Sequence, residues 1–320
     1  MVGIDIDATF SVSDELDLYL RRLLEDGSAP LGEYEFADAT PEELGLVVVG
    51  DLVQLPQDVE RLHAPLIEGA LSGRAKDWLV DLEVALAIDS TNVRMVELAQ
   101  SESVAGHVLL AELQTAGRGR RGRRWFSPFA RNLAVTLGVG LSSQPEVFGS
   151  ISLVVGLAVA DLLQSLGVRD VSLKWPNDVL IGGAKVCGIL IEVVKRADLY
   201  EGVIGIGINF EVAEGLRRTI EQPVTDLKEQ GIEVGRNQLA GDLISMIVRY
   251  VDEFDRRGFA PMRAAYEAIQ AYRGQTCYVI LGAERIEGIV LGVANDGQLC
   301  LRCAEGERLF NGGEVSLRGT

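Results

Sequence analysis

Histidine is nearly missing from this chain: His63 and His107 are the only two in 320 residues. A histidine-centred catalytic triad or a histidine metal site is therefore not expected, because imidazole is the usual group in both roles. Cysteine is scarce as well. Its four residues (Cys187, Cys277, Cys300, Cys303) are scattered in apolar company, which fits buried reduced thiols and not a disulfide framework. Cys300 and Cys303 fall in a stretch read as a strand, where residues three apart face opposite sides, so they are read as core packing and not as a shared metal site. No uninterrupted apolar run approaches the roughly 18 residues of a membrane span. Asp5 and Asp7 stand where a secretory leader would carry basic residues, and the expected location is the cytoplasm. No internal repeat or low-complexity segment is visible.

Positive charge is the other absence, and it is local. Residues 1–60 hold two basic residues, Arg21 and Arg22, against 15 acidic ones, a net −13 out of −17 for the whole chain. Non-specific DNA affinity comes mostly from basic side chains that displace counterions, so this segment is expected to repel a phosphate backbone. What remains is ordinary for a folded protein: 48% apolar and 24% charged residues, in a length that allows two domains, or three if one is small.

Apolar residues Leu16, Tyr19, Leu20, Leu23 and Leu24 recur at helical spacing and stop at Asp26-Gly27. The segments 46–49 and 52–55 flank Gly50-Asp51 as a small hairpin closed by Pro56. From about residue 65 the pattern predicts a mixed α/β domain. Its strands are 83–88, 108–113, 133–139, 171–175 and 203–210, with a hairpin of 179–181 and 186–194 around Gly182-Gly183. Asp89 to Asn92 should cap a helix running to about residue 100. Residues 150–166 read as a buried helix ended by Gly167, and a long amphipathic helix follows Asn237. From 275 onward short strands with turn signals, including Asn295-Asp296-Gly297, predict a small β-barrel. The expected domains are 1–60, 65–270 and 271–320.

Four segments carry chemistry. In Gln114-Thr-Ala-Gly-Arg-Gly-Arg-Arg-Gly-Arg-Arg-Trp125, five arginines are interleaved with Gly117, Gly119 and Gly122. Glycine allows close backbone approach to an anion, and guanidinium groups bind carboxylate or phosphate bidentately. The Gly-x-Gly-x-x-Gly spacing matches a dinucleotide fingerprint, but residues 123–128 do not open the required helix. The segment is either a basic nucleic-acid-binding loop or a loop that closes over a small anion. Lys174-Trp-Pro-Asn-Asp178 places an aromatic wall beside a polar turn, or simply a buried Trp before an ordinary turn. Lys185, in the hairpin Gly183 to Glu192, is a solvated charge or a ligand-facing cation. The alternating glycines of Gly205-Ile-Gly207-Ile-Asn209 suggest that something lies flat against that strand.

Together these segments resemble the biotin–protein ligases. The matching pieces are Asp89 to Asn92, Gln114 to Pro128, Lys174 to Asp178, Lys185 to Leu190, Gly205 to Asn209 and Gly312 to Leu317, in the family's order. The resemblance implies an α+β architecture: a mixed α/β catalytic domain of the biotin/lipoate ligase type, a C-terminal SH3-like β-barrel, and a small, degenerate N-terminal winged-helix module. It implies that biotin and ATP, helped by Mg²⁺, form biotinyl-5′-adenylate, which a lysine of a biotin carboxyl carrier domain then attacks. No covalent enzyme nucleophile and no protein metal ligand are implied.

By the same resemblance Ser90, Thr91, Asn92 and Gln114 contact the biotin head, with Gly117, Gly188 and Gly205 leaving room for it. Arg118 faces the biotin carboxylate and the phosphate, while Arg120 and Arg121 order over the adenylate. Lys185 stands beside the reacting carboxylate. Trp125 is the adenine wall, Asn177 and Asn209 line the nucleotide side, and Arg318 lies near ATP. Many bacterial members also repress the biotin operon through an N-terminal winged helix, and the resemblance leaves a homodimer open for this chain. Here residues 19–27 resemble the first helix and 46–55 the wing, yet 28–45 hold no basic recognition helix. A ligase that only biotinylates is expected, with a bifunctional ligase and repressor as the alternative.

Overall fold

The computed structural model describes residues 14–34, 39–57, 59–141, 149–196, 199–282, 284–312 and 315–319. The acidic N-terminal segment begins with helix α1 (Asp14–Asp26), followed by strands β1 (Ala29–Pro30), β2 (Val47–Val49) and β3 (Leu52–Gln54), which form a small sheet in the order β1-β3-β2. Leu16, Tyr19, Leu20 and Leu23 line one face of α1 and are buried. They are too few for a core of their own, and the cluster is completed by Ala87, Leu113, Phe129 and Ala130 from the following region. Gly45 meets that region backbone to backbone: its φ is +81°, and a Cβ there would come within 2.8 Å of the Phe129 nitrogen.

Two short helices, α2 (Ala64–Ala70) and α3 (Arg74–Trp78), lead into the main domain. Its elements are β4 (Asp81–Ile88), α4 (Thr91–Ser101), β5 (His107–Gln114), β6 (Asn132–Leu141), α5 (Ile151–Ser165), β7 (Val171–Lys174), β8 (Asp178–Ile181), β9 (Ala184–Arg196), β10 (Leu199–Asn209), α6 (Glu214–Arg217), α7 (Arg236–Arg257) and α8 (Arg263–Ala268). The seven strands run in the order β4-β5-β6-β10-β9-β8-β7, parallel only between β4 and β5. The sequence reading omits β1, α2, α3, α6 and α8 but matches the long elements to within a few residues.

Strand periodicity divides this sheet into two faces. Val135, Leu137, Ile204, Ile206 and Ile189 turn to the side covered by α5 and α7 and are buried there. Helix α5 is apolar nearly all round because α7 covers its other flank with Leu239, Leu243, Ile247 and Phe254. The opposite face carries small or polar residues: Ala134 and Thr136 on β6, Gly205 and Gly207 on β10, and Gly188 on β9. Gly205 pairs with Thr136 and Gly207 with Ala134 and Gly188. Leu190 is the large apolar side chain on this stretch of floor, the positions around it being small or short, and the cavity lies above it.

The C-terminal strands β11 (Thr276–Leu281), β12 (Glu284–Val293), β13 (Leu299–Cys303), β14 (Gly306–Phe310) and β15 (Val315–Gly319) form an all-antiparallel sheet in the order β14-β13-β12-β11-β15. Among its anchors to the main domain are two polar contacts, one buried and one part-buried. The indole N–H of Trp175 donates to the Gly297 carbonyl at 3.1 Å. The Glu267 carboxylate accepts from the Val293 N–H and pairs with Arg263 and Arg273. Among the described residues, no helix is long and apolar enough to cross a membrane.

Candidate active site

The cavity above the floor has two chemically different ends. At one end, Ser90, Thr91 and Asn92 sit at the start of α4, and Gln114 closes β5. Gln114 Oε1 accepts from the Thr91 N–H at 2.9 Å and from the Thr91 hydroxyl at 3.2 Å, and the Thr136 hydroxyl donates to Thr91 Oγ1 at 2.9 Å. The expected local cap of α4 is corrected here. Ser90 makes no side-chain capping bond, and the amide of Gln114, 23 residues away, satisfies the helix start instead. That leaves the Gln114 Nε2 group, which lies against Gly117, as a donor not used by Thr91. This end is neutral and rich in hydrogen-bonding groups.

The other end is cationic. Lys185 lies at the start of β9, its backbone held by Pro223 and Thr225. Its ammonium is 2.7 Å from Asp178 Oδ1 and 5.5 Å from the centre of the Trp125 ring. Arg120 donates to Asn177 Oδ1 at 3.0 Å and to the Gly312 carbonyl, so the arginine loop touches the C-terminal sheet region. Burial holds the Arg120 guanidinium below its ordinary range, and the charge of Asp178 works against that shift. Arg118, Arg121, Arg123 and Arg124 are exposed at the rim. Asp178 is the one carboxylate among the described lining residues. The two ends are separated by the run from Thr136 to Asn132 on β6, about 13 Å at the rise of a strand.

The loop that carries the arginines is a tight turn. Arg118 bridges to Arg124, the Gly119 N–H donates to the Arg123 carbonyl at 2.7 Å, and the Trp125 N–H donates to the Gly117 carbonyl at 2.8 Å. Arg121 at its tip has a φ of +60°, a strained conformation for a non-glycine residue of the kind found at functional sites. Beyond the loop, the indole of Trp125 lies on Gly207, closer than a real Cβ would tolerate, and Asn92 does the same over Gly205. The flat neighbours expected from the alternating glycines are therefore two of the chain's own side chains. Three buried polar atoms around this cavity have no protein partner: Asn92 Oδ1, Trp125 Nε1 and Asn132 Oδ1.

The structure brings Ser90, Thr91, Asn92, Gln114, Arg118, Arg120, Arg121, Trp125, Asn177, Lys185, Gly188, Gly205 and Asn209 to this one cavity. Gly117 lies just behind it, against Trp125 and Gln114. Arg318 pairs through its backbone with Tyr278, but its side chain lies outside the described residues. Trp175 is 2% exposed and bonded to Gly297, so it behaves as a buried anchor between the domains.

A model of the biotin/lipoate A/B protein ligase family matches residues 84–209, from β4 to β10, and one of the biotin protein ligase C-terminal domain matches 273–318. The bifunctional ligase/repressor BirA of Escherichia coli is 35% identical over 272 residues, covering 85% of this chain and 83% of that protein. The chain belongs to the biotin–protein ligase family. The ligase is also 32% identical to the biotin–[acetyl-CoA-carboxylase] ligase of Mycobacterium tuberculosis, over 81% of this chain and 98% of that one. Its fold resembles the biotin protein ligase of Aquifex aeolicus, solved in complex with biotin and ATP, with a TM-score of 0.64 at 28% identity. That match covers 76% of this chain and all of the other.

The sequence reading of this ligase misses a wall of the site. Val212, Leu216, Ile220 and Val224 close the cavity near Lys185 from a segment without periodicity beyond the short helix α6. It also misses the support beneath the site. Arg236 is fully buried against Glu112 at 2.7 Å and donates to the carbonyls of Glu60 and Asn132. The Asn132 amide in turn donates to the Phe126 carbonyl at 2.7 Å, next to Trp125. No sequence signal links residues 112 and 236.

Proposed function

We propose that this cavity joins biotin to ATP and passes the biotinyl group to a lysine of a carrier domain of acetyl-CoA carboxylase or a similar carboxylase. The carrying observation is the cavity's polarity: neutral amides at one end, clustered cations at the other. Biotin has the same polarity, with a neutral ureido head and a carboxylate at the end of its acyl chain. The head meets Ser90, Thr91, Asn92 and Gln114, and the carboxylate reaches Lys185 and Arg118.

In the first step a carboxylate oxygen attacks the α-phosphorus of ATP. A C–O–P bond forms, the bond to the β-phosphate oxygen breaks, and pyrophosphate leaves. Two anions must approach each other, and Lys185, Arg118, Arg120 and Arg121 lower that repulsion in a site partly closed to water. Trp125 supports the adenine ring, with Asn177 and Asn209 at its edge. In the second step the neutral amine of the carrier lysine attacks the acyl carbon. The amide bond forms, the acyl–oxygen bond breaks, AMP leaves and the amine loses a proton. Mg²⁺ is bound in proteins by one or two carboxylates together with substrate phosphates. The one carboxylate of the described lining, Asp178, is paired with Lys185, so the ion would be held mainly by the substrate phosphates, with Asp178 nearby, and would neutralise phosphate charge.

Transcriptional repression is not part of the proposal. The two cations of the N-terminal segment are already paired, Arg21 with Asp17 and Arg22 with Asp26 and Glu33. The apolar face of α1 is packed against the catalytic domain. A helix-turn-helix reader needs a free helix for the major groove and several phosphate-contacting cations. Free cysteines, two of them buried, fit action in a reducing compartment such as the cytoplasm. The test is transfer. With biotin, ATP and an isolated carrier domain, one carrier lysine should become avidin-reactive. No labelling with biotin, or equal modification with lipoate, would overturn the assignment.

A further inference from the structure

Behind the proposed biotin end, outside the cavity lining, lies a carboxylate that the mechanism does not use. On β9, Glu192 lies two and four residues beyond Leu190 and Gly188, on the same sheet face as the cavity floor, and pairs with Val203 of β10. Its Oε2 accepts from Nδ2 of Asn92. Asn92 is 4% exposed, lies over Gly205, and has no protein partner for its Oδ1.

A side-chain amide can face a neighbour with either its oxygen or its nitrogen, and the neighbour decides which. A carboxylate only accepts, so it draws the NH₂ group of Asn92 and turns the oxygen the other way. Gln114 is set in the opposite sense. Its oxygen is held by the Thr91 N–H and hydroxyl, which leaves its NH₂ group as the part of this lining residue not used by Thr91. The two amides thus offer one acceptor and one donor. A cyclic urea offers the complement, an N–H and a carbonyl oxygen.

We infer that Glu192 is a positioning residue for biotin recognition: it fixes the Asn92 amide so that Oδ1 accepts from a ureido N–H. This rests on the reading of biotin as substrate. If Glu192 became an amide, it could face Asn92 with either a donor or an acceptor, and the orientation of Asn92 would no longer be set. Glu192 is exposed on the strand, so the isosteric change leaves packing intact.

The experiment measures biotin-dependent exchange of pyrophosphate into ATP for the parent, Glu192→Gln, Asn92→Ala and the double variant. The substrates are biotin and its two ureido N-methyl derivatives, each of which lacks one N–H. Glu192→Gln should raise the KM for biotin about tenfold, the value of one buried hydrogen bond, with kcat and the KM for ATP within about twofold. Discrimination against the N-methyl derivative that lacks the recognised N–H should shrink by the same factor. In the Asn92→Ala background, Glu192→Gln should add nothing. Parent-like KM and discrimination in Glu192→Gln would overturn the inference, as would equal losses toward biotin and ATP or additive losses in the double variant. Failure of the biotin reading would appear separately, as exchange by the parent that does not depend on biotin.

Discussion

The backbone N–H of Phe129 donates to the carbonyl oxygen of Leu44 at 2.7 Å, joining the acidic N-terminal segment to the chain that leaves the active-site loop. Phe129 is fully buried among Leu16, Leu20, Leu23 and Val53, only four residues from Trp125. The N-terminal segment is therefore part of the catalytic domain's packing, and the loop's exit is part of the N-terminal core.

Phe129→Ala should destabilise the whole protein by about 3–5 kcal/mol, the cost of deleting a buried phenyl ring. Urea denaturation followed by circular dichroism measures it. A single transition shifted by that amount fits shared packing. A loss under about 1 kcal/mol would contradict it, because a ring in a separate mobile module would be far less constrained.

Gly207→Ala should act on the nucleotide side. The new methyl group would occupy the position of the Trp125 indole, so the ring must move. The KM for ATP should rise about tenfold or more, while that for biotin stays within about threefold. Steady-state kinetics with each substrate varied in turn would show it. Equal effects on both substrates would remove Trp125 from its assigned role.

The pair of Arg236 and Glu112 should show the behaviour of a buried ion pair. Arg236→Met alone leaves Glu112 charged and alone, and should cost about 3–5 kcal/mol. Adding Glu112→Leu should recover most of that stability. If the double variant is no more stable than the single one, the hydrogen bonds to Glu60 and Asn132, not the charges, carry the site.

Glu83 offers a test in pH. Burial, with the nearby charge of Asp81, raises its carboxyl pKa above the usual 4.5. A raised folded value favours the protonated form. Its contribution to stability is greatest at low pH and is lost as pH rises from the unfolded value through the folded one. Glu83→Gln should therefore melt above the parent at pH 7, and the difference should shrink toward zero at pH 4. A lower melting temperature at pH 7 would mean that Arg94 dominates this carboxylate.

Much of the site was legible because its residues are contiguous in short motifs with turn or strand signals. The arginine loop, Lys185 and the glycines of β10 all stand out by composition. What was not legible depends on long-range geometry. Glu112 and Arg236 are 124 residues apart, and nothing in either neighbourhood points to the other. The first sixty residues read as a thin separate module, since the apolar residues that complete their core belong to β4, β5 and the loop after Trp125. Helices α2 and α3 are too short for a periodic pattern to distinguish them from loop.

The most direct test of the central claim is exchange of labelled pyrophosphate into ATP, run with and without biotin and with Lys185→Ala. The account predicts exchange that requires biotin. It also predicts a fall of about 10²–10³-fold in rate for Lys185→Ala, the usual effect of removing one group that stabilises developing charge, in a protein with unchanged circular dichroism. Exchange without biotin, or Lys185→Ala at the parent rate, would contradict it.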